Sequence, residues 1–328
     1  MRVLAAPDKF KGTASAADVA AAIALAVTEA GGEAVTLPLA DGGEGTLDAL
    51  GGANRRTMVS GPLGDPVEAP WRLHRGTAVL EMAAASGLDL VGGPDGNDPV
   101  AASTAGTGEL ISTAVEAGAT RVVVGVGGSA TTDGGFGALR AMYPLPRLRG
   151  VELVVACDVR TRFVDAAEVF APQKGATAAQ VALLRRRLER LAQVYRDEYG
   201  VDVETVDRTG AAGGLAGGLL AAGATLVDGF ELVAEHLELY EAIEGADLVV
   251  TGEGFLDDES FAGKVVGGVQ SYAHAAGVPV LAVVGQAFDG AAARLPTVVL
   301  ADRFGLDRAR RDPAGCITDA VRQHLESR

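Results

Sequence analysis

The chain has 328 residues, 48% of them apolar, and a formal net charge of −15. That length is a soft prior for two domains and is ample to bury a core. The acidic balance excludes the basic footprint that nucleic acid or an anionic membrane surface needs, while leaving room for a phosphate-bearing small ligand held by local lysines.

Taken in chain order, the pattern opens with a short strand at 3–6. The start MRVLAAPDKF is expected not to act as a signal peptide, because Asp8 and Lys9 interrupt it, so a cytoplasmic location is expected. A helix follows at 15–30, with Ser15 and Asp18 spaced as a capping box. The next strand, 34–39, runs into Asp41-Gly42-Gly43-Glu44-Gly45-Thr46. Residues 60–75, SGPLGDPVEAPWRLHR, are rich in Pro and Gly and break the rhythm, which marks the start of a second domain. Strands at 78–82, 121–125 and 152–156 and helices at 107–117, 178–199 and 214–222 come next. The last stretch alternates again: strand 247–251, helix 265–276, strands 278–284 and 297–301, helix 316–326. No apolar run reaches bilayer-spanning length. The expected fold is α/β: a first domain of 1–57 and 245–328 with a mostly parallel sheet, and a second α/β domain, 58–244, inserted into it.

The segments that carry chemistry follow strands, where ligands bind in parallel sheets. They are PDKFKGT (7–13), the loop 41–46, GVGGSATTDGG (125–135), Asp158, and TGEG (251–254) with Asp257, Asp258 and Lys264 behind it. Many of the 45 glycines fall in these places, where a ligand needs close approach to backbone. Carboxylates suit a hard cation, lysines suit phosphate oxygens, and free N–H groups at helix starts suit anions. That is the set of parts phosphoryl transfer uses. On this reading Asp41 and Glu44 hold Mg²⁺. Plainer readings stand beside it. DGG is also a turn. Lys9 and Lys11 are also ordinary solvated charges, and Asp133 a helix cap. Lys174, in PQKG, is read as a solvated loop residue, and Arg185-Arg186-Arg187 as an exposed helix face. Trp71 is read as a core or interface anchor and Cys157 as a buried small hydrophobe. Cys157 and Cys316 form neither a disulfide framework nor a metal pattern, and the four histidines share no ligand spacing. Residues 125–130, GVGGSA, also match the dinucleotide fingerprint, whose acidic partner would be Glu152. No P-loop motif occurs.

Read together, PDKFKGT, LPLADGGEGT (37–46), LEMAAASGL (80–88), STAGTGELI (103–111), GVGGSATTDGG, ACDV (156–159), VFAPQKGA (169–176), GAAGGL (210–215) and ADLVVTGEGFLD (246–257) resemble the bacterial glycerate kinase family, in order and over nearly the whole chain. The resemblance implies two α/β domains, one Rossmann-like, with the site in the cleft between. It implies ATP- and Mg²⁺-dependent phosphorylation of glycerate, typically to 2-phosphoglycerate. Its implied roles are a proton acceptor at Asp158 or Asp41, with Asp8 a further candidate, and charge neutralisation by Lys11. Mg²⁺ would be held by Asp41 and Glu44, with Asp257. Gly127, Gly128, Ser129 and Thr131 would cradle phosphates, with Glu253 and Lys264 as further nucleotide-side candidates. The expected partner is a small hydroxy acid, with self-association left open. The chain departs from the family pattern at Lys9 (Ser in the family), Thr132 (Asn), Phe255 (Arg) and Glu259 (Gln), and after Val159, where Arg160-Thr161-Arg162 replaces Asp-Asn-Pro. Lys9 or Arg162 would then meet the substrate carboxylate. Alternatives are a kinase of a related acid, a binding-only family member and, from the fingerprint, a nicotinamide-dependent oxidoreductase.

Overall fold

A computed structural model describes residues 1–288 and 290–327. Its strands, in chain order, are β1 (Arg2–Ala5), β2 (Glu33–Thr36), β3 (Arg55–Ser60), β4 (Pro66–His74), β5 (Thr77–Glu81), β6 (Arg121–Gly125), β7 (Glu152–Cys157), β8 (Thr225–Asp228), β9 (Leu248–Leu256), β10 (Val280–Ala287) and β11 (Thr297–Val299). The chain divides into two compact units: Met1–Asp41 with Phe230–Arg328, and Gly42–Gly229. The second is thus inserted into the first. The crossings fall at 41/42 and 229/230, where the sequence reading placed them at 57/58 and 244/245.

The discontinuous unit holds a fully parallel sheet in the order β11-β10-β9-β1-β2. Such sheets are covered on both faces, so their central strands read as continuous apolar runs. β9 fits: its first six residues are all buried. On one face Val3, Val250 and Val283 pack with Ile23 and Val27 of the helix Ala16–Glu29, and with Ile317 and Val321 of the helix Pro313–Glu326. On the other, Ala282 and Val284 pack with Val266 of the helix Val265–Ala276. The expected capping box forms, with Ser15 Oγ accepting from Asp18 N and the Asp18 carboxylate accepting from Ser15 N.

The inserted unit holds a sheet in the order β3-β4-β5-β6-β7-β8. β5 to β8 are parallel, while β3, β4 and β5 pair antiparallel. The β3–β4 hairpin lies where the sequence reading saw only a break. Pro66 and Pro70 hid it. Both sit in the half of β4 that pairs with β3 alone; pairing with β5 begins at Arg72, so their missing N–H groups cost no ladder bond on that side. Trp71 is a core anchor, 2% exposed, with Nε1 donating to Thr57 Oγ1 at 2.9 Å. β8 also escaped notice, being four residues beside glycines. The stretch 297–301, read as a strand, keeps that form to Val299 and then turns into the helix Leu300–Phe304.

Candidate active site

In the discontinuous unit, β1 and β9 are neighbours from which the chain winds outward in opposite directions. That is a switch point, where a crevice opens beyond the carboxyl ends of the strands. Asp8 follows β1 there, with its N–H bonded to Gly252 O of β9 at 2.9 Å. Residues 10–14 fold back in a turn closed by Phe10 N to Ala14 O, and Gly254 lets this loop approach closely: a Cβ on it would stand 3.3 Å from Lys11 N. Glu253 comes up from β9, and Asp41 follows β2.

The electrostatics follow from burial. Asp8 is 8% exposed, and its loss of water raises the carboxyl to about 7; Lys9 opposes this and Asp41 adds repulsion. Burial likewise raises Glu253 to about 7, with a Ser260 hydrogen bond opposing, Asp8 adding repulsion and Lys264 opposing. Glu253 Oε1 has no hydrogen-bond partner, although it is buried. Asp257 caps the turn Asp258–Phe261, its Oδ1 accepting from Ser260 N at 3.0 Å. Lys264 lies 3.7 Å from Glu259. Lys11 is exposed. Phe255 is 45% exposed and stacks on Phe288 with centroids 6.2 Å apart. It therefore offers an apolar face.

In the inserted unit, the carboxyl ends of β5, β6, β7 and β8 carry Glu81, the Gly125–Gly135 loop, Asp158 and Asp228. Glu81 Oε1 accepts from Gly45 N at 2.9 Å and Leu47 N at 2.8 Å, which fixes the DGGEGT loop. The β6 loop passes Ser86–Leu88 in an antiparallel bridge: Leu88 N donates to Gly128 O and Ala130 N to Ser86 O. Among the described residues, the N–H groups of Gly127, Gly128 and Ser129 have no backbone acceptor. Asp133 accepts from Thr104 N, Gly135 N and Gly137 N, so the capping role holds, across two helix starts. Asp158 is half-buried beside Cys157, whose carbonyl accepts from Arg208 at 2.5 Å; Arg208 also pairs with Asp228 at 3.0 Å. Arg162 is exposed and lies 3.5 Å from Asp207.

Two expectations are corrected here. Lys174 is not solvated: it is 3% exposed, and its Nζ donates to Ser129 Oγ and Thr131 O. The dinucleotide reading also fails. A fingerprint loop opens directly into a helix, but here the chain runs through the bridge and the next helix starts only at Phe136. Glu152 sits at the amino end of β7, away from that loop, paired with Arg121.

The donors fit a nucleotide with a hard cation. Unpartnered N–H groups on a glycine loop suit phosphate. Among the described residues no group of three His, Cys, Asp or Glu forms a ready metal cage. Mg²⁺ does not require one, since it commonly takes one or two carboxylates and completes its shell with waters and phosphate oxygens.

The sequence profile of the glycerate kinase family matches residues 3–143 and 144–324. The chain belongs to the glycerate kinase family. It is 40% identical to Glycerate 2-kinase of Escherichia coli (strain K12), over 88% of this chain and 86% of that protein. It is 39% identical to Glycerate kinase of Halalkalibacterium halodurans, again over 88% and 86%. A crystal structure from Salmonella typhimurium LT2, provisionally named glycerate kinase 2, superposes with a TM-score of 0.82 at 34% identity, covering 100% of this chain and 98% of that one. Membership makes this protein a phosphotransferase with an alcohol group as acceptor. Sequence reasoning missed Glu81, Arg208 and Asp228. The strand-end rule that found Asp158 would also have found Glu81, the last residue of β5. Nothing local marks Arg208.

Proposed function

We propose that this protein phosphorylates glycerate with ATP and Mg²⁺, giving 2-phosphoglycerate, in the cytoplasm. Family membership supports the reaction class. The observation that carries the reading in the geometry is the buried pair Asp8 and Glu253 at the β1/β9 switch point, beside Lys9 and Lys264. Carboxyls poised near neutral pH hold or release a proton readily.

Asp158 or Asp41, with Asp8 as the other candidate, accepts the proton of the substrate hydroxyl. The hydroxyl oxygen then bonds to the γ-phosphorus as the bond to the ADP oxygen breaks. Lys11 neutralises charge on the moving phosphoryl group. Gly127, Gly128 and Ser129 offer backbone N–H groups to phosphate oxygens, and Thr131 is assigned to the same loop. Glu253 and Lys264 are assigned to the nucleotide side. Asp41 and Glu44, with Asp257, are the residues assigned to Mg²⁺, which when bound neutralises phosphate charge. Lys9 or Arg162 is assigned to the substrate carboxylate.

The test is ADP release with Lys11→Ala. A charge contact made in the transition state is worth about 100-fold or more in turnover. A change of only a few-fold, in a folded variant, removes Lys11 from this role. Of the alternatives, a kinase of a related hydroxy acid is favoured by one observation: Phe255 presents an exposed apolar ring where the resemblance implies an Arg.

A further inference from the structure

Lys174 ends the turn Pro172–Lys174 and is among the most deeply buried charges of the inserted unit. Its Nζ lies 2.7 Å from Ser129 Oγ and 2.6 Å from Thr131 O. Its own carbonyl accepts from Asn97 Nδ2 at 2.9 Å, and the same amide donates to Ala130 O at 3.0 Å. Residues 129, 130 and 131 are therefore tied in succession by two side chains from distant parts of the chain. The arrangement is costly: burial pulls the ammonium down to about 7, with Asp133 opposing. A buried charge of this kind is weak support for stability, since apolar packing of similar volume often does as well. What it supplies is direction. In its ammonium form Lys174 has three donors and no acceptor. The Ser129 hydroxyl then accepts from it at 2.7 Å, which leaves the hydroxyl's own hydrogen to donate elsewhere. The N–H groups of Gly127, Gly128 and Ser129 have no backbone acceptor among the described residues.

We propose that Lys174 is a positioning residue that, with Asn97, holds the 127–131 loop in place and turns the Ser129 hydroxyl outward as a donor to a nucleotide phosphate oxygen. The inference rests on the reading of that loop as the phosphate cradle. Lys174 touches no substrate; its effect passes through Ser129 and the Thr131 carbonyl.

The test compares KM for Mg²⁺-ATP and for D-glycerate in the parent, Lys174→Met, Ser129→Ala, the double variant and Asn97→Ala, with Tm recorded for each. Lys174→Met and Ser129→Ala are each expected to raise KM for ATP about tenfold, leaving KM for glycerate within about twofold. The double variant is expected to match the worse single one, because Lys174 acts through the Ser129 hydroxyl that Ser129→Ala removes. Asn97→Ala leaves the ammonium alone and is expected to raise KM for ATP about threefold, so a Lys174→Met that does not fold leaves the proposal open to refutation. Lys174→Met or Asn97→Ala with an unchanged KM for ATP overturns it, as do multiplicative effects in the double variant. If Ser129→Ala alone leaves KM for ATP unchanged, the cradle reading fails and this inference with it. If Ser129→Ala raises KM and Lys174→Met does not, the cradle stands and only the role of Lys174 falls.

Discussion

At the scale of single residues, burial of an ionisable group is the informative feature, and at Glu253 one carboxyl oxygen is also left without a partner. Glu253 has a carboxyl raised to about 7 by desolvation. A raised carboxyl contributes stability that is fully present below its unfolded value, near 4, and lost as pH climbs through 7. Glu253→Gln mimics the protonated form at every pH. It is therefore expected to raise Tm at pH 8, where the parent holds a buried charge, by about 3 °C or more, with the gain shrinking toward pH 4. Scanning calorimetry of the ligand-free protein at both values checks this, and an equal Tm at pH 8 contradicts it. Asp8 and Glu253 were legible as candidates because each lies two residues past a strand-like run in the sequence, although β9 itself continues through Glu253 to Leu256. Lys174 was not: a lysine in PQKG looks like any solvated loop charge, and its burial comes from the contacts with Ser129 and Thr131, 43 to 45 positions away.

At the scale of elements, the loops are held by tight backbone contacts and shared caps. Gly213 has φ +67°, and a Cβ there would lie 2.0 Å from Thr131 O, the carbonyl that Lys174 also holds. Gly213→Ala is expected to cost well beyond the about 1–2 kcal/mol of a left-handed backbone and to raise KM for ATP. Gly64→Ala, with φ +97° and open space around it, is expected to cost the backbone amount alone and leave KM unchanged. Urea melts and kinetics on the two variants separate backbone strain from the contact with Thr131. Asp133→Ala strips hydrogen bonds from the helix starts at Thr104 and Gly135. It is expected to cost about 3 kcal/mol, read as a lower urea midpoint at unchanged slope. Strands and helices with a clear period were readable from the sequence, as was the Ser15–Asp18 cap. The β3–β4 hairpin was not, because its prolines carry the signature of a linker and are tolerated only through their one-sided pairing.

At the scale of the whole molecule, alternation of strand and helix announced α/β architecture, and the return of the pattern near the C-terminus announced an insertion. The switch point between β1 and β9 was beyond reach of the sequence, since strand order is set by long-range pairing. No helix among the described residues is long and apolar enough to cross a membrane. Glycerate phosphorylation is read out by ADP release from ATP with Mg²⁺, with and without D-glycerate, on the folded protein. The expected result is release that depends strongly on glycerate and stops when Mg²⁺ is chelated. Release with another hydroxy acid but not glycerate, or no release at all, contradicts it.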